Sequence, residues 1–162
     1  MNLKILLSSI MMLIWTGIAS ASPGHDAYEK GNYTEAFKIW KHLAEEGNAD
    51  AQHNLGHLYA YGYGVLKDRG KAEKLFEKAA HQGLAISQYT MLRYSINDAQ
   101  DLGLYWGVAK FWAEKVYNNE DSEYKKQAED LWEKYNLSRY HIPLYLKEKD
   151  KELKGFFKSL FD

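Results

Sequence analysis

His53 and His57 are the pair whose residue type and spacing most directly offer chemistry. At i and i+4, two imidazoles project from one face of a helix, within reach of a shared metal ion. Zinc would need a third and a fourth ligand. His25 could approach from a preceding helix if helical units stack, but no acidic residue nearby completes the H-E-x-x-H arrangement of a metal-dependent hydrolase. The simpler reading is that both imidazoles line a solvated groove, and no metal or cofactor is expected.

The glycines of LGHLYAYGYGVLKD, Leu55 to Asp68, invite a second chemical reading, a phosphate-binding loop. The spacing does not fit. After Gly62 and Gly64, the third glycine of G-x-G-x-x-G would fall at Lys67, and no strand-like run precedes the loop. Gly64 and Gly70-Lys71 lie one residue too far apart for G-x-x-x-x-G-K, and Ala72 offers no hydroxyl to magnesium. The chain has no cysteine to act as a nucleophile and no G-x-S-x-G elbow. A non-enzymatic protein is expected.

These residues sit in a pattern that repeats. A shift of 36 residues lays Ala36 on Ala72, Trp40 on Phe76, Ala44 on Ala80 and Gly47 on Gly83. A second shift lays Gln52 on Gln88, Leu55 on Met91, Phe76 on Trp112 and Ala80 on Val116. Matched positions are mostly apolar or small and recur at spacings of three and four, the stripe of a buried helix, whereas no strand-like alternation occurs. Ala51, Leu55, Leu58 and Tyr59 share a face, and Gly56 leaves room for a neighbouring helix. Gly47 and Gly83 fit the left-handed position just past a helix end. Gly62 ends a further helix, Gly64 turns the chain, Val65 tucks into the corner, and Asp68 caps the next helix through its free N–H groups. The expected fold is all-α, a short solenoid of antiparallel helix hairpins.

The run LGHLYAYGYGVLKDRGKAEKLFEKAAHQG closely resembles the consensus of Sel-like repeats (SLR), relatives of tetratricopeptide repeats. The resemblance rests on Leu55-Gly56, Tyr59, Gly62-x-Gly64-Val65, Asp68, Lys71-Ala72, Phe76, Ala79-Ala80 and Gly83, and it extends over about residues 25–118. Upstream, AYEKGNYTEAFKIW has a one-glycine turn at Gly31 and looks like an ordinary tetratricopeptide unit. Downstream, SINDAQDLG puts Asp98 and Gln100 where Gly62 and Gly64 stood. The resemblance implies a concave side, lined by the first helix of each pair, that contacts partners. By position that side would hold His25, Tyr28 and Glu29, then Asp50, His53, His57 and Tyr61, then Tyr89, Arg93 and Asn97. Several of these, Tyr89 above all, could instead pack between helices. The implied role is binding of another protein or peptide, as adaptor or regulator of an envelope protein. An immunity-type role sequestering a toxin is the alternative. Cell-wall or β-lactam hydrolysis is disfavoured, because the exported Sel-like proteins linked to it resemble a cysteine-rich subgroup.

The two ends read differently from the middle. Residues 1–21 have the layout of a secretory signal: Lys4, a nearly unbroken apolar run from Ile5 to Ile18, then Ala19-Ser20-Ala21 for cleavage after Ala21. As a helix that run rises only about 21 Å, short of a hydrocarbon core of about 30 Å. The expected location is periplasmic or secreted, with no stable membrane insertion after cleavage. Repeats would then occupy residues 22–118, and residues 119–162 a capping helix and tail. Tyr124, Ala128, Leu131, Trp132 and Tyr135 form the stripe of that helix within Glu120–Tyr135. A terminal cluster, Phe156, Phe157, Leu160 and Phe161, is expected to dock on its own domain, a partner or a membrane surface being the alternatives. A net charge of −1, or −2 without Lys4, provides no basic field for nucleic acid. A monomer is expected, stabilised by packing of its thirteen tyrosines and five tryptophans instead of by disulfides. Mass spectrometry of the protein recovered from cells should find the mature chain starting at Ser22; an intact Met1 would refute cleavage.

Overall fold

The computed structural model describes residues 23–102, 106–143, 146–148 and 151–152, so the proposed signal segment and the Phe156–Phe161 cluster lie outside the described residues. Helices follow one another as α1 (Pro23–Glu29), α2 (Tyr33–Glu45), α3 (Ala49–Tyr61), α4 (Arg69–His81), α5 (Ala85–Leu102), α6 (Trp106–Asn118) and α7 (Lys125–Tyr135), with a 3-10 turn at Leu137–Arg139. No strand occurs among the described residues. Each helix packs chiefly on its neighbours in sequence, α1 on α2 through α6 on α7. The all-α solenoid of hairpins expected from the 36-residue period is what forms.

The period is written in buried side chains. Trp40, Phe76 and Trp112, 36 residues apart, are 3%, 1% and 1% exposed and plug the second helix of each pair into its neighbours. Ala36 and Ala72 are fully buried beside the first two, where larger residues would hold the helices apart. Gly56 serves the same end within the α3–α4 hairpin: a Cβ there would lie 2.8 Å from the Phe76 ring.

A polar ladder repeats with the same period. Gln52 donates from Nε2 to the Ala44 carbonyl at 3.2 Å, and Gln88 donates to the Ala80 carbonyl at 3.1 Å. Each glutamine then accepts from the residue that ends its own hairpin, Gln52 from Gln82 at 2.8 Å and Gln88 from Asn119 at 2.9 Å. Both are 5% exposed. The ladder ties the C-terminal turn of one hairpin to the next and satisfies carbonyls that a helix end leaves open.

Helix ends follow their glycines and caps. Gly31, Gly47, Gly62, Gly64 and Gly83 all have φ between 68° and 96°, the left-handed region. Asp68 accepts from the Lys71 N–H at 2.9 Å, as expected, and Asn48 does the same for Ala51 at 2.8 Å. The third unit departs from the pattern. Instead of a corner at Asp98 and Gln100, α5 runs on through both to Leu102, eighteen residues against thirteen in α3. Left-handed backbone costs a side-chain-bearing residue about 1–2 kcal/mol, so without glycine the helix simply continues. The capping helix also begins later than expected, at Lys125, because Asn119 turns back to bond the Gly83 carbonyl at 2.7 Å.

Two of the glycines differ in a way that can be measured. A Cβ on Gly64 would lie 2.6 Å from the Tyr33 carbonyl carbon and 2.8 Å from the Thr34 nitrogen, whereas one on Gly62 would come no nearer than 3.3 Å to Lys67 Cβ. Gly62→Ala should therefore lose about 1 kcal/mol from backbone strain alone, and Gly64→Ala about 2 kcal/mol or more. Urea denaturation of the two variants checks the order; equal losses would mean that the backbone contact at Gly64 carries no weight.

Candidate functional site

The corner between α3 and α4 places Tyr61, the last residue of α3, and Tyr63, held between two left-handed glycines, side by side. Their rings lie 5.6 Å apart and within 21° of parallel. Tyr63 also stacks on Tyr33 at 4.7 Å, and Tyr33 meets Tyr28 edge-on at 5.3 Å. Toward the other side Tyr61 lies 5.2 Å from His57. A continuous ribbon of rings thus runs from α1 across the corner into α3. Tyr61 is 59% exposed.

The ribbon ends in a pocket of about 130 Å³ between α3, α4 and α5, lined in part by His57, Tyr61, Thr90, Arg93, Tyr94 and Asn97. Four of the ten residues expected on the partner-binding side, His57, Tyr61, Arg93 and Asn97, are therefore brought together. A neighbouring depression shares Tyr94 and Asn97 and adds Arg69, Gln100 and Asp101. Arg69 pairs with Asp98, and its guanidinium lies 5.4 Å from the Tyr94 ring. The Asp98 hydrogen bond raises the Arg69 pKa. Arg93 and Asn97 are exposed.

The other expected residues lie elsewhere. Tyr28 belongs to the aromatic ribbon. His25 lies edge-on to Trp40 at 5.4 Å, with Nε2 3.3 Å from Asn54 Nδ2, in place of joining His53 and His57. Glu29 and Asp50 are exposed and line none of these depressions, Asp50 sitting in the first turn of α3, at the far end from Tyr61. Tyr89 stacks on Tyr124 at 4.8 Å and 7°, packing between the third unit and the cap. No group of three or more histidines, cysteines or carboxylates able to hold a metal occurs among the described residues.

His53 departs from the solvated-groove expectation. It is 6% exposed, with its ring 5.1 Å from Phe76 on α4, and its Nδ1 shares a 2.8 Å hydrogen bond with the fully buried Ser87 Oγ on α5. It is a joint between three helices, not a surface for a partner. Four residues advance about 400° around a helix, so His57 is turned about 40° from His53, and that is enough to put His57 at the pocket wall and His53 behind it. Sequence reasoning also passed over Tyr33, Tyr63 and Tyr94. Tyr63 carried a usable signal, since a residue held between two left-handed glycines at a corner is pushed outward.

Burial, with the neighbouring His57 as a second cause, pushes the His53 imidazole down to about 4. Burial also lowers that of His57. Both are neutral at pH 7. A base whose folded pKa lies below its unfolded value of about 6.5 stabilises the fold fully above that value, and the contribution is lost as pH falls toward 4. For His53 the loss amounts to roughly 3 kcal/mol. The urea midpoint should fall between pH 7 and pH 4.5, and His53→Gln should flatten that fall; an unchanged slope in the variant would assign the acid sensitivity to other groups.

Comparisons with known proteins agree with this architecture. Residues 49–84 match the model of the Sel1 repeat. An exopolysaccharide production negative regulator of Rhizobium meliloti (strain 1021) is 34% identical over 61 residues, which are 38% of this chain and 23% of that protein. Among solved structures, a protective antigen present in uropathogenic Escherichia coli strains, displaying an SLR fold, superposes with a TM-score of 0.59 at 22% identity. That match covers 80% of this chain and 27% of the other. This chain thus spans about a quarter of the length of each relative. The α3–α4 hairpin thus matches the Sel1 repeat model, and the surrounding helices stack as in an SLR fold.

Proposed function

We propose that this protein is exported and acts as an adaptor or regulator that holds another envelope protein along the aromatic ribbon and the pocket beside it. Sel-like repeat proteins are protein-binding scaffolds, generally without catalysis. The observation that carries the reading is the convergence of His57, Tyr61, Arg93 and Asn97 on one pocket continuous with a run of stacked tyrosines. Tyrosine and arginine provide large, stiff contact area with polar tips, the composition of residues that dominate binding energies. A neutral His57 in a partly buried wall can donate one hydrogen bond and accept another without a charge to desolvate.

The mechanism is recognition without chemistry: an extended or helical segment of the partner lies across the ribbon, an apolar side chain on Tyr61 and Tyr63 and a polar group toward Arg93 and Asn97. The name of the Rhizobium relative favours the regulator half of the reading. Export rests on the N-terminal segment of the sequence.

Tagged protein recovered from the envelope fraction after cross-linking should carry a stable partner. Changing Tyr61 and Arg93 together to Ala should lower its recovery about tenfold or more with an unshifted melting curve, because both side chains are exposed and central to the surface. Asp50→Ala, outside the pocket, should leave recovery unchanged. Undiminished recovery with the double variant would remove this surface from the mechanism.

A further inference from the structure

The surface beside the aromatic ribbon changes sign along α5. Arg93, Asn97 and Asp101 follow one another at i, i+4 and i+8, so they run along one side of the helix, and the first and last lie about 12 Å apart along its axis. At one end Arg93 is exposed and makes no ion pair or hydrogen bond with the described residues. No carboxylate lines the pocket that it shares with His57, Tyr61 and Tyr94. Its neighbour Arg69 is already engaged by Asp98. At the other end Asp101 is exposed, likewise unpaired among the described residues, and lines the adjoining depression with Gln100. It sits in the last turn of α5, where the helix dipole places partial negative charge. Helices α4, α6 and α7 answer that charge with Lys78, Lys115 and Lys134 in their own last turns, whereas α5 has no basic residue there. Glu73 adds to the excess of negative charge: burial and then Asp98 raise its pKa, and Arg69 only partly opposes them.

We propose that the segment recognised on this surface is extended and bipolar, with a carboxylate set against Arg93 and, four residues away, a lysine or arginine set against Asp101. The inference rests on the reading that the surface binds a protein segment, and it names the chemistry of that segment. Four residues of extended chain cover about 13 Å and return both side chains to one face, which matches the separation along α5. A helix needs eight residues for the same distance and is about 10 Å across, too wide to reach the floor of a pocket of about 130 Å³. Asn97, midway between the two charges, has both a donor and an acceptor to offer the backbone that crosses it. A segment of one sign leaves one end unpaired and is repelled at the other. Charge then selects the partner and its direction, while the tyrosines supply contact area.

A displayed library of random nonapeptides, selected on the whole protein, tests this without knowledge of the natural partner. Enriched peptides should carry Asp or Glu four residues from Lys or Arg. Selection on Arg93→Glu should lose the acidic residue and keep the basic one, and selection on Asp101→Lys should do the reverse. Each variant should bind a peptide enriched on the unaltered protein about fivefold or more weakly, with an unshifted melting curve, and the difference should shrink in about 0.5 M salt. Peptides that need Tyr61, by loss of binding to Tyr61→Ala, but show no charge pattern would overturn the bipolar segment and leave the ribbon reading standing. Enrichment of an acidic residue alone, or of a charge pair seven or eight residues apart, would overturn it as well. No enrichment, or peptides indifferent to Tyr61→Ala and to both charge reversals, would remove the surface itself and this inference with it.

Discussion

The Gly64 backbone rests on the Tyr33–Thr34 peptide at a separation that leaves no room for a Cβ. This contact joins the corner of the α3–α4 hairpin to the corner that opens α2, so one turn is seated on another along one edge of the solenoid. Once seated, Tyr63 stacks on Tyr33 and Tyr61 is turned outward beside it. Gly56 sets the complementary spacing within the hairpin by admitting the Phe76 ring against α3. Two missing side chains thus fix how closely successive elements approach, and the position of every exposed ring on the ribbon follows from that approach.

Burial then sorts residues that sequence spacing treats alike. His53 and His57 are four residues apart on one helix, yet one is sealed under α5 with Ser87 and the other forms a pocket wall. The sealed imidazole is held neutral by desolvation, and its hydrogen bond is made with a hydroxyl that has no other exposure. Tyr89 is drawn away in the same manner, spent on a parallel stack with Tyr124 that locks the cap to the third unit. The side chains left at the rim of the pocket are Tyr61, Arg93 and Asn97, with His57 in its wall.

Where the repeat loses its glycines, the architecture changes in a useful direction. α5 continues past the place where α3 stops, and its additional turns carry Asp98 to Arg69 and extend the depression with Gln100 and Asp101. The Gln52 and Gln88 ladder nevertheless continues across this irregular unit, because it depends on the N-terminal turn of each first helix and not on the loop at its far end. A solenoid can tolerate variation at one edge while the other is held in register by the ladder.

The sequence by itself determined the helices, their 36-residue period, the left-handed corners, the Asp68 cap and the Trp40, Phe76 and Trp112 plugs, since all of these are local: backbone strain, capping and helical periodicity act within a few residues. It also identified four residues that converge on the pocket. Only the tertiary structure decided that Gln52 and Gln88 bridge units, that His53 is buried while His57 is not, that Tyr33 and Tyr63 complete the ribbon, and that α5 continues through Asp98 and Gln100. Those outcomes depend on which surface of each helix the next unit covers, and coverage is a property of the packed array that no single segment encodes.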